Sequence, residues 1–340
     1  MQRPSEKRMT ARKVRTCVLQ AAHHRSAPAK RSLYAAAAIL AMAGAVAAIL
    51  LLISCAGSSG TTEIRPEGYT LSSDTAVVFS NADAVVQTIR EALTRHDYRI
   101  TIRFQAQGEY MGDISPLISD LMNAALTHTG SPIQGDYLRY QYGGYTVSYS
   151  HEAIEDGWSY EAIIEPDYYT TPEQETAVDT EVQNILKRLH FTRKTTDAEK
   201  VAAIYRYVCD TVQYDTVHAK NEQHHLKTTA YAALVQKRAV CQGYCVAMYR
   251  LLLAAGVDCR ILTGSGIYEN GESEYHSWNL VCIDGEWYNM DVTWDVQDET
   301  EDYYLKADAS FKNHIRDAQF DTEAFRSFYP MAASDYEPEA

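Results

Sequence analysis

Residues Ala239–Cys245 read AVCQGYC, and the reading of their two cysteines decides the fold. Downstream the chain continues VAMYRLLLAAGVDCRILTG, in which Val246, Met248, Tyr249, Leu252 and Leu253 keep helical spacing and predict one buried face, with Gly256 as the stop. That helix starts at Cys241 and carries Cys245 one turn deeper. Unsatisfied amides and the positive end of the helix dipole stabilise a thiolate in a first turn and can donate to an oxyanion. Three readings of the pair compete: half of a metal site, a redox couple, or a nucleophile with a bystander.

Farther along stands YHSWNLVCIDGEWYNMDVTWD, beginning at Tyr275. HSWNLVCI alternates as a strand, DGE is a hairpin turn, and WYNMDVTWD reads as the returning strand. His276 opens the first strand and Asp291 lies on the second, so a tight turn brings them side by side and Asp291 can orient the imidazole. Packed against the Cys241 helix, the three form a Cys-His-Asp relay. A redox couple calls for C-x-x-C, whereas Cys241 and Cys245 are separated by three residues. A zinc site needs a second ligand pair, yet H-E-x-x-H is absent and His224 and His225 are adjacent, which sends their side chains apart, so no metal is expected. Nucleophile plus bystander remains. Cys209, Cys245, Cys259 and Cys282 read as inert core.

At these residues the chain resembles the transglutaminase-like superfamily: AVCQGY with Cys241 as nucleophile, YHSW with His276 as base, NMDVTWD with Asp291 as orienting acid. The resemblance runs from about Thr171 to Ser327 and includes VQYD at Val212–Asp215 and the tail DYYLKADASFKNH. It implies a papain-like α+β core, a nucleophile helix packed on an antiparallel sheet, and acyl transfer through a thioester without a cofactor. The amide of Cys241 is the first oxyanion donor. Tyr214, in the VQYD piece, is a candidate second donor. His314 matches a histidine of the related tail. Trp278, Trp287 and Trp294 are expected to frame the sheet and wall the cleft.

Upstream, residues 76–166 read as a small α+β module without a chemical constellation. A helix is expected through Val85, Val86, Ile89 and Leu93, a strand at YRITIRF, a second helix from Ile114 to His128, and alternating strands around a Gly-Gly turn in YQYGGYT. At residue 171 the pattern turns helical: Thr171 caps, Pro172 takes the first helical position and Gln174 the third, a capping box. A second helix follows at TDAEKVAAIYRYVCDTVQYD, then the loop TVHAKNEQHHLK and a third helix leading to Lys237. Residues 171–327 thus form the catalytic domain and 328–340 a tail.

The formal charge of −14 is uneven: before Leu33 nine basic residues face the single acid Glu6, a net of +8, so the remainder carries −22. A body that acidic argues against nucleic-acid binding. The basic stretch precedes an apolar run from Leu33 to Ile53, long enough to span a bilayer, and the run ends in LISC at Cys55. LISC resembles a bacterial lipoprotein signal, with Cys55 the lipidated residue. Residues 1–55 are thus a signal or membrane anchor, the alternative being a single-pass signal anchor, and 56–75 a polar tether. The expected whole is an exported enzyme, lipid-anchored to the cell membrane and facing outward. It would act on peptide or protein amides, cell-wall or surface proteins included, as a peptidase or transamidase. The alternative is a non-catalytic binding module that keeps the fold.

Overall fold

The computed structural model describes residues 82–337 in full, together with the backbone of strands at Lys13–Leu19, Thr61–Ile64, Tyr69–Leu71 and Val77–Phe79. Cys55 and the apolar run lie outside the described residues. The fold is α+β, with two antiparallel-based layers that each carry helices.

The first layer contains helix α1 (Ala82–Thr94), strand β1 (Arg99–Gln107), helix α2 (Ser115–Ala125), and strands β2 (Tyr142–Ile154) and β3 (Gly157–Tyr168). In β1 burial alternates along the strand, so Ile100, Ile102, Phe104 and Ala106 meet Val85, Ile89 and Leu93 of α1 in one core. The sheet order is Lys13–Leu19, β2, β3, β1, Thr61–Ile64. Lys13–Leu19 runs antiparallel to β2, with Lys13 opposite His151 and Leu19 opposite Tyr145. Thr61–Ile64, within the stretch read as a tether, runs parallel to β1. Gly143 and Gly144 do not make a turn. They sit inside β2, where the register slips between Tyr142 and Gly144 and Gly144 adopts φ 111°, a bulge that only glycine accommodates readily. The hairpin turns instead at Glu155 and Asp156.

The second layer comprises α3 (Pro172–Leu189), α4 (Asp197–Thr211), α5 (Cys241–Ala254), β4 (Cys259–Ile267), β5 (Ser273–Ile283), β6 (Glu286–Met290), α6 (Val292–Asp298), β7 (His314–Arg316) and α7 (Glu323–Phe328). Its sheet order is β6, β5, β4, β7. The capping box at Thr171 forms as read, and Thr196 builds a second one with Glu199. Between α4 and α5 the expected third helix is reduced to a 3₁₀ turn at His225–Thr228 and a π turn at Tyr231–Val235. Helix α5 is buried from Gly243 to Leu253, not on one face only, because α3 and α4 cover one side and β4 and β5 the other.

The segment between α2 and β2 joins the layers. Tyr137 and Tyr140 lie in the core of the second layer, and the Arg260 guanidinium donates two bonds to Asp136, at 2.7 and 3.1 Å. Residues 330–332 lie along the edge of β6, where the amide of Trp287 donates to the Pro330 carbonyl and that of Ala332 to the Trp287 carbonyl, and the Tyr336 amide donates to the Leu305 carbonyl.

Candidate active site

Cys241 occupies the first position of α5, behind Val240 in extended conformation. His276 and Ser277 face its thiol closely enough to act on its charge. His276 sits on β5 opposite Gly264 of β4, 2% exposed, and its Nε2 lies 2.7 Å from Asp291 Oδ2. Nδ1 is thereby left for the thiol. Burial disfavours the imidazolium, but the Asp291 carboxylate and then Cys241 outweigh it and lift His276 to about 10. Burial likewise pushes the Cys241 thiol up, and the His276 proton outweighs that, holding it below its ordinary value. The other described cysteines go the opposite way. Burial raises Cys245 and Cys259 well above the ordinary thiol and Cys282 above it, and pushes Cys209 up to about 12. The Cys245 thiol, one turn below Cys241, donates to Ser277 Oγ at 3.5 Å.

The strand expected to return through Asp291 to Asp295 ends at Met290, which pairs with Asn279. Asp291 is instead the N-cap of α6: Oδ1 accepts from the amides of Thr293 and Trp294 at 3.0 and 3.3 Å. A side chain that satisfies two first-turn amides favours helix over strand. It also fixes the carboxylate so that Oδ2 faces His276. Burial pushes Asp291 up, but His276 and the other donors hold it well below the usual carboxylate range.

Oδ2 has a second partner. His314 Nε2 lies 3.0 Å away, on a ring stacked on Phe311 with centroids 3.9 Å apart. Its Nδ1 is buried with no hydrogen-bond partner among the described residues. Burial lowers the pKa of His314, so the neutral ring donates through Nε2. The resemblance pointed to His314, but no local pattern linked it to an acid more than twenty residues upstream.

Tyr214 lies on a two-residue strand, Gln213–Tyr214, paired in parallel with Arg238–Ala239 just before Cys241. Burial and the facing Cys241 push its phenol up to about 12, so it stays a donor through the neutral range. Trp294 covers His276 with ring centroids 5.1 Å apart, and Trp278 is fully buried beside it. Trp287 faces elsewhere, against Tyr329. Three polar residues escaped the sequence reading. Ser277 Oγ accepts from the Cys245 thiol and also acts on the charge of Cys241. Asn289 Oδ1 accepts from Trp278 Nε1 at 3.2 Å and Arg316 at 3.1 Å. Asp295 accepts from Tyr205 Oη at 2.7 Å and the Tyr303 amide at 3.0 Å, and burial raises it to about 6. Asp295 closes the quoted NMDVTWD, the only local signal for it.

Residues 186–292 match the core model of the transglutaminase-like superfamily. The matched span contains Cys241, His276 and Asp291. Kyphoscoliosis peptidase of Homo sapiens is 31% identical over 126 residues, covering 35% of this chain and 18% of that protein. Its Mus musculus counterpart is 32% identical over 120 residues, covering 33% and 17%. The chain therefore spans less than a fifth of the length of these curated relatives. A solved structure described as a TGase aligns with TM-score 0.33 and 17% identity, over 71% of this chain and 61% of that one.

Proposed function

We propose that the protein is an exported, membrane-anchored cysteine enzyme that transfers acyl groups from peptide or protein amides. The observation that carries the reading is the chain of contacts from Cys241 through His276 to Asp291, in which Cys241 alone among the described thiols is driven toward the thiolate. The Cys241 sulfur adds to the amide carbonyl, and the oxyanion is met by the Cys241 amide and the Tyr214 hydroxyl. The His276 imidazolium gives its proton to the leaving nitrogen, the C–N bond breaks, and a thioester remains. Neutral His276 then takes a proton from water, giving the acid and free thiol, or from an amine, giving a new amide. Asp291 holds the ring through both halves. The name peptidase carried by the relatives accords with water as acceptor.

Stoichiometric alkylation at neutral pH, followed by peptide mapping, tests this. Cys241 is expected to carry the label. Modification mainly at Cys209, Cys259 or Cys282 rejects the nucleophile. A glutamine peptide with an added primary amine then separates transamidation, seen as an amine adduct, from hydrolysis.

The anchor is a separate part of the proposal. Among the described residues no helix is long and apolar enough to cross a membrane. A lipoprotein beginning at Cys55 would lack the Lys13–Leu19 strand that lies along β2. Intact-mass analysis of the membrane fraction is expected to show a lipidated chain starting at Cys55, and Cys55→Ala to block processing. An unlipidated chain retaining residues 1–54 indicates the signal anchor.

A further inference from the structure

We infer that Asp215, His218 and His224 form a binding site for a divalent transition metal of the zinc class, beside the thiol site and separate from it. One ligand atom from each residue lies within 4.8 Å of the others. The loop is built to bring them together. The Asp215 amide donates to the Ala239 carbonyl at 2.9 Å, fixing the carboxylate at the end of the short parallel pair. The chain then curls back: the Ala219 amide donates to the Asp215 carbonyl at 2.9 Å and the His218 amide to Asp215 Oδ1 at 3.1 Å. Oδ2 is left for His218 Nδ1, 2.8 Å away. Further turns, Asn221 amide to His218 carbonyl and His224 amide to Asn221 carbonyl, carry His224 round until its ring lies 4.2 Å from that of His218.

A simple clasp for this loop would need Asp215 and His218 alone. His224 adds a second imidazole at the same point, and both rings are only partly buried, so an ion can reach them. The neighbouring His225 is directed elsewhere, stacked on Tyr169 at 4.7 Å. Adjacency, read from the sequence as evidence against a metal, thus separates His224 from His225 while leaving His224 free to join a partner six residues upstream. Two imidazoles and a carboxylate suit zinc, cobalt(II) or nickel(II) better than calcium or magnesium. Tetrahedral zinc ligands at about 2.0–2.2 Å stand roughly 3.3 Å apart, so Asp215 and His218 would open slightly and His224 close in, leaving one position to solvent. Two cations lie nearby. Lys227 Nζ is held by the carbonyls of His218, Ala219 and Asn221, each at 2.8 Å, and Arg238 acts on Asp215 at longer range.

The site reaches the nucleophile through the backbone. The Lys227 carbonyl accepts from the Val240 amide at 3.1 Å, one residue before Cys241, and a Cβ on Gly243 would stand 2.8 Å from the same oxygen. A bound ion would therefore stiffen the wall against which the first turn of α5 rests. This goes beyond the acyl-transfer reading, and its test does not use turnover.

The detergent-solubilised full-length chain, stripped with chelator, is titrated with cobalt(II) and then zinc(II), following heat and visible absorption. About one cobalt per chain is expected, in a nitrogen and oxygen field without a thiolate charge-transfer band. His218→Ala and His224→Ala should each weaken binding at least about 10–100-fold, the loss typical of removing even an outer partner of a ligand. His225→Ala and His276→Ala should leave it unchanged, with circular dichroism showing that every variant is folded. Any of three results overturns the inference: no saturable binding, a thiolate band that places the ion on Cys241, or binding that survives His218→Ala with His224→Ala but is lost with His276→Ala.

Discussion

Residues 82–168 and residues 171–337 both pack helices on a largely antiparallel sheet, yet they bury different atoms. In the first layer the core is aliphatic, phenylalanine and tyrosine with fewer buried polar groups, His96 and Asp97 among them, and tyrosine hydroxyls bond to neighbouring segments, as where Tyr149 donates to Asp113 or Tyr160 accepts from the Met111 amide. In the second, His276, Ser277, Asn279, Asn289, Asp291 and Asp295 are all nearly inaccessible. Burying such groups is unfavourable unless each is paired, and a fully paired network holds its members in one geometry. The first layer is organised for packing, the second around a carboxylate with four donors.

The largest expected effect breaks that carboxylate. Asp291→Ala should lower amide turnover by about 10⁴ in a folded protein, by analogy with other acid–histidine–nucleophile sets, and Asp291→Asn by less because the amide oxygen can still accept. Wild-type turnover in folded Asp291→Ala would reduce Asp291 to a helix cap. The ionic state is read from the pH dependence of Cys241 alkylation. The rate should rise as pH climbs through a thiol pKa below its ordinary value, and the imidazolium should persist until about pH 10. For stability the signs are opposite. The raised His276 contributes fully below 6.5 and loses its contribution as pH rises through about 10, whereas the depressed Asp291 contributes above 3.8 and loses its contribution as pH falls through its folded value.

The next effect tests whether the layers are one structure. Asp136→Ala leaves Arg260 buried without its partner and should cost about 3–5 kcal/mol in urea unfolding. Burial opposes the Asp136 charge, but Arg260 holds its pKa below 3.8, so its contribution fades only as pH falls through that lowered value. A loss under about 1 kcal/mol would mean that the layers stand independently. Gly264→Ala is smaller. Its Cβ would collide with the Ile315 carbonyl oxygen, pushing β7 and with it His314, at about 1–3 kcal/mol. Because Gly264 also pairs with His276, lower turnover at temperatures where the variant is folded would show that the β4 backbone holds the two histidines in place; unchanged turnover would show that the site tolerates the shift. The smallest is Thr171→Ala, about 1 kcal/mol for the lost cap of α3 and no change in alkylation.

What the sequence determined by itself is local. The capping box at Thr171, the start of α5 at Cys241 and its stop before Gly256 follow from interactions within a few residues, which the order of side chains specifies directly. Spacing across one hairpin also brought His276 beside Asp291, because a tight turn leaves little freedom in what faces what. Tertiary structure decided the rest. Asp291 caps a helix instead of ending a strand, since its carboxylate meets the amides of Thr293 and Trp294 only once β6 delivers it there. The glycines of β2 form a bulge because the strand meets β3 out of step. His314 reaches Asp291 across two strands, and His224 reaches His218 through a loop curled around Lys227. No periodicity marks such partners. Their approach is set by which sheets and helices close on one another, and that depends on burial summed over the whole core.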